Sequence, residues 1–486
     1  MTTAPSSSGA PRRSRTVEAL LALEDDAPDV LFESVPGSPL PLWPQLRVAF
    51  GLALAAAELG EPENRSAVAQ SRGAWRLASS LLPTRWDARR LRQRAELLFV
   101  TTGSSTWSVG GREEDWLVGD YARVVEGRSA LVTWGRLPSP HGPPAFSPTG
   151  SLAPVMARAA LRAAVTRLSG PAENAITSLV PEFARRLGIA DEPAIARLLA
   201  TARITERLRP ALAARMERVI ERLDPRVVIM QNASYGGQAH LVHALHAAGI
   251  RVAEPQHGWI GPSHYAYNHG AAMRTPELAA TLPDELLTFG EFWSEGVAHA
   301  APATAIGRPR LELIASGAPP ADERPQRVLV VSSATEPAAT EALVLDLVAA
   351  LPPGWSVGFR PHPAERAEVD RRYPRLRGAA GVELDLDADL YGSLTGVRAV
   401  IGTASTVLYE ALALGCRVFV IDSPKGPYYV GEVFGPRLEP QEAVAAVIAG
   451  LSEGAGLSRV QRDLLPRIWR PGALDAFRDW ASAASA

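Results

Sequence analysis

The chain has a single cysteine, Cys416, in 486 residues. That excludes an internal disulfide framework and any paired-cysteine metal motif. In its apolar surroundings Cys416 reads as a small core residue. Lysine is as scarce: Lys425 is the only one, and the remaining positive charge is arginine. With Ala, Gly, Pro and Leu so abundant, the skew fits a GC-rich genome better than a nucleic-acid surface. Neither sign of charge dominates. The formal net charge is −2, so no global field recruits nucleic acid or an anionic membrane. Long apolar runs are missing too. The nearest, LRVAFGLALAAAEL from Leu46, is broken by Arg47 and Glu58 and is too short to cross a bilayer. The opening residues, MTTAPSSSGAPRRSR, are polar and have no apolar stretch behind them. A cytoplasmic location is expected, with peripheral contact at the inner membrane face left open.

What is present suffices for two or three domains, since 47% of the residues are apolar. Residues 1–17 read as a disordered tail, and residues 18–314 as a first domain. In it, DVLFESV from Asp29 reads as a strand, Gln45 to Leu59 as a helix, and residues 61–93 as charged with helical tendency. ELLFVTTG from Glu96 reads as a second strand running into the polar loop SSTWSVGGREEDW. Residues of about 151–223 have helical periodicity, an insertion rich in Ala, Leu and Arg. Then short apolar runs alternate with helices: RVVIMQ, RVAEPQ, ELLTFG and TAIG. This is the rhythm of buried parallel strands. ASGAPPADERPQ, residues 315–326, has linker composition. RVLVVSSA, SVGFRPHP, GVELD, RAVIGTA and RVFVID then restart the rhythm over residues 327–460, and residues 461–486 read as a helical tail that would pack back on the first domain. The fold class expected is α/β, with two Rossmann-like doubly wound domains facing a cleft and an extra helical N-terminal part. Ligands of open α/β sheets lie beyond the carboxyl ends of the strands, so the strand-end loops are where function is sought.

Three such loops carry dense polar chemistry. In GTASTVLYEALALG, a buried strand ends at Gly402, and Thr403, Ser405 and Thr406 precede a helix. Small hydroxyls and free N–H groups at a helix N-terminus make an anion site. Glu410, about one turn on, could accept from ribose hydroxyls. The competing reading is that Ser405 only caps the helix. In FRPHP, two prolines hold His362 in extended geometry, and Arg360 could join it in clamping a phosphate or nucleobase edge. The competing reading is a turn whose histidine caps a neighbouring carbonyl. In EPQHGWIGPSHYAY, two of the nine histidines fall within fourteen residues. His257 there suits proton abstraction from a sugar hydroxyl, with Glu254 orienting it or acting as base itself, and Gly258 permitting close approach. Gln256, His264 and Tyr267, with Trp107 and Arg112 from the earlier polar loop, either line an acceptor pocket or cover a domain seam.

In this order, and at these strand ends, the clusters resemble the GT-B glycosyltransferases of bacterial surface-polysaccharide synthesis. Capsule and lipopolysaccharide transferases look closest, with sialyl- and Kdo-transferases and the CDP-glycerol glycerophosphotransferases as relatives. The resemblance covers about residues 225–425 and is loose before them. It implies a base motif at Glu254, His257 and Gly258, an HP element at His362 and Pro363 that contacts a cytidine nucleotide, and an ST element at Ser405 and Thr406 on its phosphate. It also implies a ribose-facing Glu410, a first domain for the acceptor and a second for the donor. EPQHG departs from the paired acidic dipeptide of sialyltransferases. The expected function is therefore a metal-independent, cofactor-free inverting transfer of a sugar from a nucleotide-activated donor, CMP-linked or other. The acceptor would be a hydroxyl of a glycan, a lipid-linked or a small-molecule partner. Alternatives from other classes are a nucleotide-sugar 2-epimerase-like isomerase, a CDP-glycerol-type phosphotransferase and a non-catalytic scaffold of the same fold.

Overall fold

The computed structural model describes residues 10–59, 80–81 and 84–485. Residues 1–9 of the expected tail, and most of the segment 61–93 expected to be helical, lie outside them. The chain divides into two units. One holds residues 14–288, 294–306 and 474–486, and the other holds the chain up to residue 13, with 289–293 and 307–473.

The larger unit is built on a sheet of seven parallel strands. β1 (Leu97–Thr101) leads into a hairpin of β2 (Thr106–Val109) and β3 (Arg112–Asp115), which stands apart from the sheet. β4 (Ser129–Thr133) and β5 (Thr149–Ser151) follow, then β6 (Val227–Met230), β7 (Arg251–Pro255), β8 (Glu285–Thr288) and β9 (Ala303–Ala305). The order β5-β4-β1-β6-β7-β8-β9 reverses direction between β1 and β6. That crevice is the topological switch point where doubly wound sheets bind ligands. Every residue of β1, β4 and β6 is buried, as expected of strands covered on both faces.

The helical insertion consists of Ala153–Val165, Gly170–Arg186 and a 32-residue helix, Glu192–Leu223. Ser169 and Asp191 cap the last two by accepting from the N–H of Ala172 and Ala194. Met216, Val219 and Leu223 of the long helix share a core with Leu98, Val132 and Val228 of the sheet. A second core joins Trp43, Phe50 and Phe183, whose rings meet at 5.2–5.8 Å. The C-terminal residues belong to this unit as well. Phe477 lies 4.6 Å from Tyr121, and the Trp480 indole donates to Glu285 at 3.0 Å.

Two expectations for this unit are corrected. DVLFESV is not a strand: Asp29–Phe32 forms a 3-10 turn after Pro28, and of its four residues only Leu31 is buried. The tail ends earlier than residue 17. A helix, Arg15–Asp25, starts at a Ser14 cap, and Glu58 accepts from the N–H of Arg15 and Thr16, both at 3.1 Å. A carboxylate there is favoured by the helix dipole. Glu58 and Arg47, which interrupt the longest apolar run, thus each have an internal partner: Glu58 the start of the first helix, and Arg47 the carboxylate of Glu24. Among the described residues no helix is long and apolar enough to cross a membrane.

The smaller unit has β10 (Arg327–Val331), β11 (Ser356–Arg360), β12 (Val382–Leu384), β13 (Ala399–Gly402) and β14 (Arg417–Val420). They pair parallel in the order β12-β11-β10-β13-β14, with the switch point between β10 and β13. Both Rossmann-like units expected of a GT-B chain are therefore present, with the additional helical part. The segment 315–326 is not a free linker. Helix Pro309–Gly317 runs into it, and the buried Arg324 donates to the carbonyls of Pro319, Val397 and Leu414. Those bonds tie it into the five-stranded unit, and Arg324 also reaches Cys416 Sγ at 3.3 Å.

Candidate active site

At the switch point of the five-stranded sheet, the loops after β10 and β13 meet. Ser333 Oγ and Thr403 Oγ1 are 2.7 Å apart, and Thr335 Oγ1 is 2.9 Å from Ser333 Oγ. The β10 loop holds Ala334 and Glu336 at φ 63° and 51°, left-handed values that non-glycine residues adopt only when their surroundings impose them. Two bonds hold Ala334. Arg372 donates to Ala334 O at 3.0 Å, and the Ala334 N–H donates to Ser332 Oγ. Beyond β13, Ser405 caps the helix Thr406–Ala413, accepting from Val407 N at 3.3 Å. Gly402 is required by packing, since a Cβ there would lie 2.8 Å from Val331 Cγ2. Thr406 is exposed at the helix mouth.

The FRPHP turn joins the same crevice through a residue the sequence reading passed over. Buried Glu365 accepts from Ser332 Oγ at 2.6 Å, Tyr373 OH at 2.8 Å and His362 N at 3.2 Å. His362 itself is exposed. Its Nδ1 accepts from Ala364 N at 3.2 Å, which leaves the proton on Nε2 as an outward donor. The ring caps an N–H, not the carbonyl of the competing reading. Arg360 and Glu410 are placed otherwise than expected. The Arg360 guanidinium is buried against Asp385 (2.8 Å), Ser393 Oγ and the Asp387 carbonyl. Glu410 is paired with Arg308 at 2.5 Å, and Tyr391 OH accepts from the same guanidinium. Both hold the sheet's helices and loops together.

In the seven-stranded unit, β7 delivers Glu254 fully buried. Its Oε2 accepts from the N–H of Ser234 (2.7 Å) and from its hydroxyl (2.5 Å), in the loop after β6. Its Oε1 accepts from Tyr267 OH at 2.9 Å. Burial pushes the carboxyl up to about 7. Because the Tyr267 proton goes to Glu254, its oxygen is the acceptor for His257 Nδ1, 3.4 Å away. That leaves His257 Nε2 as an acceptor, in contact with Tyr235 OH at 3.5 Å. His264 fixes the other side. Its Nδ1 accepts from Ala266 N, so Nε2–H donates to Tyr235 O at 3.2 Å. Burial lowers His257 to about 4 and His264 to about 3, so both rings are neutral at pH 7. His299 Nε2 contacts Ser234 Oγ at 3.1 Å. Ser234, Tyr235 and His299 were not singled out by sequence; the only signal was the NASYGG turn closing a buried strand.

Glu254, His257, His264 and Tyr267 thus form one hydrogen-bonded group. Gln256 is buried beside them with its amide on Gly258 O (2.8 Å), and the space beside Gly258 is open. Trp107 and Arg112 stand on the β2–β3 hairpin, where Arg112 donates to Pro144 O at 3.1 Å. At the switch point of this sheet Gln231 Oε1 accepts from Thr102 N (2.9 Å) and Oγ1 (3.0 Å). Among the described residues no three His, Cys, Asp or Glu side chains form a metal-holding group.

No protein-family model matches the chain, and no curated protein matches it by sequence. Solved structures do match in fold. UDP-GlcNAc 2-epimerase from Neisseria meningitidis bound to UDP-GlcNAc aligns at 12% identity and TM-score 0.43, over 80% of this chain and 98% of its own. Anabaena HepE in complex with UDP and glucose aligns at 13% and 0.43, over 81% and 100%. The glycosyltransferase SnogD from Streptomyces nogalater aligns at 13% and 0.39, over 81% and 100%. At such identities the chemistry of this chain rests on its own residues.

Proposed function

We propose that the chain is a metal-independent inverting glycosyltransferase acting on a nucleotide-activated sugar, with the five-stranded unit holding the nucleotide and the seven-stranded unit supplying the base. The observation that carries this reading is the hydroxyl-lined switch point, where Ser333 and Thr403 touch at 2.7 Å beside the Ser405-capped helix. Uncharged donors and a helix N-terminus favour a phosphate without requiring a cation. Exposed His362 Nε2–H adds a donor. His257 Nε2 takes the proton of an acceptor hydroxyl, whose oxygen attacks the anomeric carbon. The bond to the donor phosphate breaks, and the switch-point donors receive the charge that leaves with the nucleotide. The resemblance of the HP and ST elements supports a CMP-linked donor among nucleotide-sugars. A glycan, lipid-linked or small-molecule acceptor, with contact at a membrane surface, completes the reading.

The test is a thermal-shift series with CMP, CDP, UDP and GDP. Stabilisation by at least one is expected, and indifference to all four overturns the proposal. Incubation with nucleotide-sugar alone, followed by NMR, separates transfer from the 2-epimerisation named for the Neisseria protein: a new epimer without acceptor would reassign the reaction. Ser405→Ala is expected to cost about 1 kcal/mol of stability through the lost cap. Where its hydroxyl also meets phosphate, nucleotide affinity drops roughly tenfold or more. Urea unfolding and calorimetry measure the two separately.

A further inference from the structure

The net charge of −2 conceals a local concentration of one sign on the helical insertion. Helix Ala153–Val165 contains no acidic residue. Its inner side packs on helix Glu192–Leu223, where Val155 and Ala159 share a core with Ala211, Leu212 and Met216. Its outer side repeats at i, i+3, i+4 and i+7, the spacing of one helix face: Arg158, Leu161, Arg162 and Val165. Beside it, the long helix carries Arg215 and Arg218. Arg215 is lowered from the usual arginine value, first by burial and then by the repulsion of Arg218, Arg162, Arg158 and Arg89. Four guanidiniums thus crowd together where the two helices meet.

No acid of the chain neutralises them. Asp87 is taken by Arg89 at 2.9 Å. Among the described residues Glu217 and Glu221, the exposed acids on this stretch of the long helix, form no ion pair with any of the four. Arg215 and Arg218 donate to carbonyls of their own helix, Ala211 O at 2.7 Å and Ala214 O at 3.0 Å. Arg158 Nη1 is inaccessible to solvent and makes no hydrogen bond. A buried donor without an acceptor is costly.

The aliphatic members of the stripe are a second, independent observation. Val165 is 83% exposed and Leu161 44%. Scattered singly, such residues are ordinary; here they interleave with arginines along one face. Exposed Ile204 stands on the same side of the long helix as Arg215, about three turns before it. We propose that this face binds an anionic phospholipid surface, the arginines meeting headgroup phosphates while Leu161 and Val165 enter the acyl boundary beneath them. A nucleic acid would use the charge but leave the aliphatics in water, and the stripe has no aromatic to stack on a base. The inference rests on the membrane contact of the proposed function and gives that contact a place on the molecule.

Co-sedimentation of the full chain with vesicles tests this, using phosphatidylcholine alone and an equimolar mixture of phosphatidylcholine and phosphatidylglycerol. Binding to the anionic vesicles only, weakened by added salt, is expected. Arg162→Gln/Arg218→Gln, at two exposed positions, should weaken it roughly tenfold or more. Leu161→Ser/Val165→Ser changes no charge and should weaken it several-fold, an effect that a purely electrostatic polyanion site does not show. Circular dichroism checks that both variants fold. Absence of binding to the anionic vesicles, binding unchanged in either variant, or uptake of a single-stranded RNA oligonucleotide in place of vesicles overturns the proposal. Sedimentation needs no turnover, and the arginine variant should keep the parent's thermal response to nucleotide. Failure of the patch and failure of the transferase reading are therefore told apart.

Discussion

Glu24→Ala is expected to remove about 3–5 kcal/mol of unfolding free energy, because it strands a buried guanidinium. Glu24 and Arg47 are 0% and 2% exposed and meet at 2.5 Å. Glu24 also accepts from the Trp43 indole (3.0 Å) and from Gly270 N (2.8 Å). Arg47 donates in turn to the carbonyls of Tyr265 and Asn268. The pair therefore ties two N-terminal helices to the backbone on either side of Tyr267, the residue that links Glu254 to His257. Its removal should loosen the site as well as the fold. The double variant Glu24→Leu/Arg47→Met removes both charges and should recover most of the loss, since an apolar pair of similar volume is often neutral. Urea unfolding of the single and double variants gives the coupling. A loss under about 1 kcal/mol in Glu24→Ala would mean that water or another carboxylate reaches Arg47.

This network also marks the limit of what sequence could reveal. The strands RVLVV, SVGFR and RVVIM were legible because parallel strands buried on both faces must be short continuous apolar runs. DVLFESV has an apolar centre too, but it is confined between Pro28 and Pro36, and the chain turns instead of extending. Residues 315–326 look like a linker because Pro and Gly dominate. Nothing local reports that Arg324 will find carbonyls some 70 to 90 positions later. Arg360 was misread for the same reason: an arginine at a strand end suggests phosphate until Asp385, 25 residues on, is seen to hold it. The FRPHP and GTAST clusters were visible, but the loop that joins them was not. SSATEP repeats the pattern of strand, hydroxyls and helix start seen in GTAST, and a search for that repeat would have found Ser333.

In the seven-stranded unit the question of which residue takes the proton becomes one of geometry. Both Glu254 oxygens are already engaged, Oε2 twice by Ser234 and Oε1 by Tyr267. His257 is only partly buried, and its Nε2 is an acceptor whose one hydrogen-bond contact is the Tyr235 hydroxyl at 3.5 Å, the long limit for such a bond. His257→Ala is therefore expected to lower kcat by roughly 10²–10⁴-fold, the usual range for a lost general base. In the proposed reaction Glu254 would act through Tyr267, as a positioning residue, and pH tells the two apart. Burial lowers His257 to about 4, so its own protonation cannot shape activity near neutrality. The Glu254 carboxyl, raised to about 7, titrates there instead. Once protonated it no longer draws the Tyr267 hydrogen. That hydrogen turns to His257 Nδ1, the neutral ring carries its proton on Nε2, and the base is gone. Activity should fall as pH drops through about 7.

Stability moves the other way. A carboxyl whose folded value lies above its ordinary 4.5 stabilises the fold fully below 4.5, and that contribution is lost as pH rises through about 7. An acid limb in kcat with no loss of Tm between pH 8 and 6 is therefore the expected signature. Glu254→Gln should abolish that limb while leaving some activity, and Tyr267→Phe should do the same by cutting the connection. If the limb persists in both variants, His257 does not owe its tautomer to Glu254, and the proton must leave by another route.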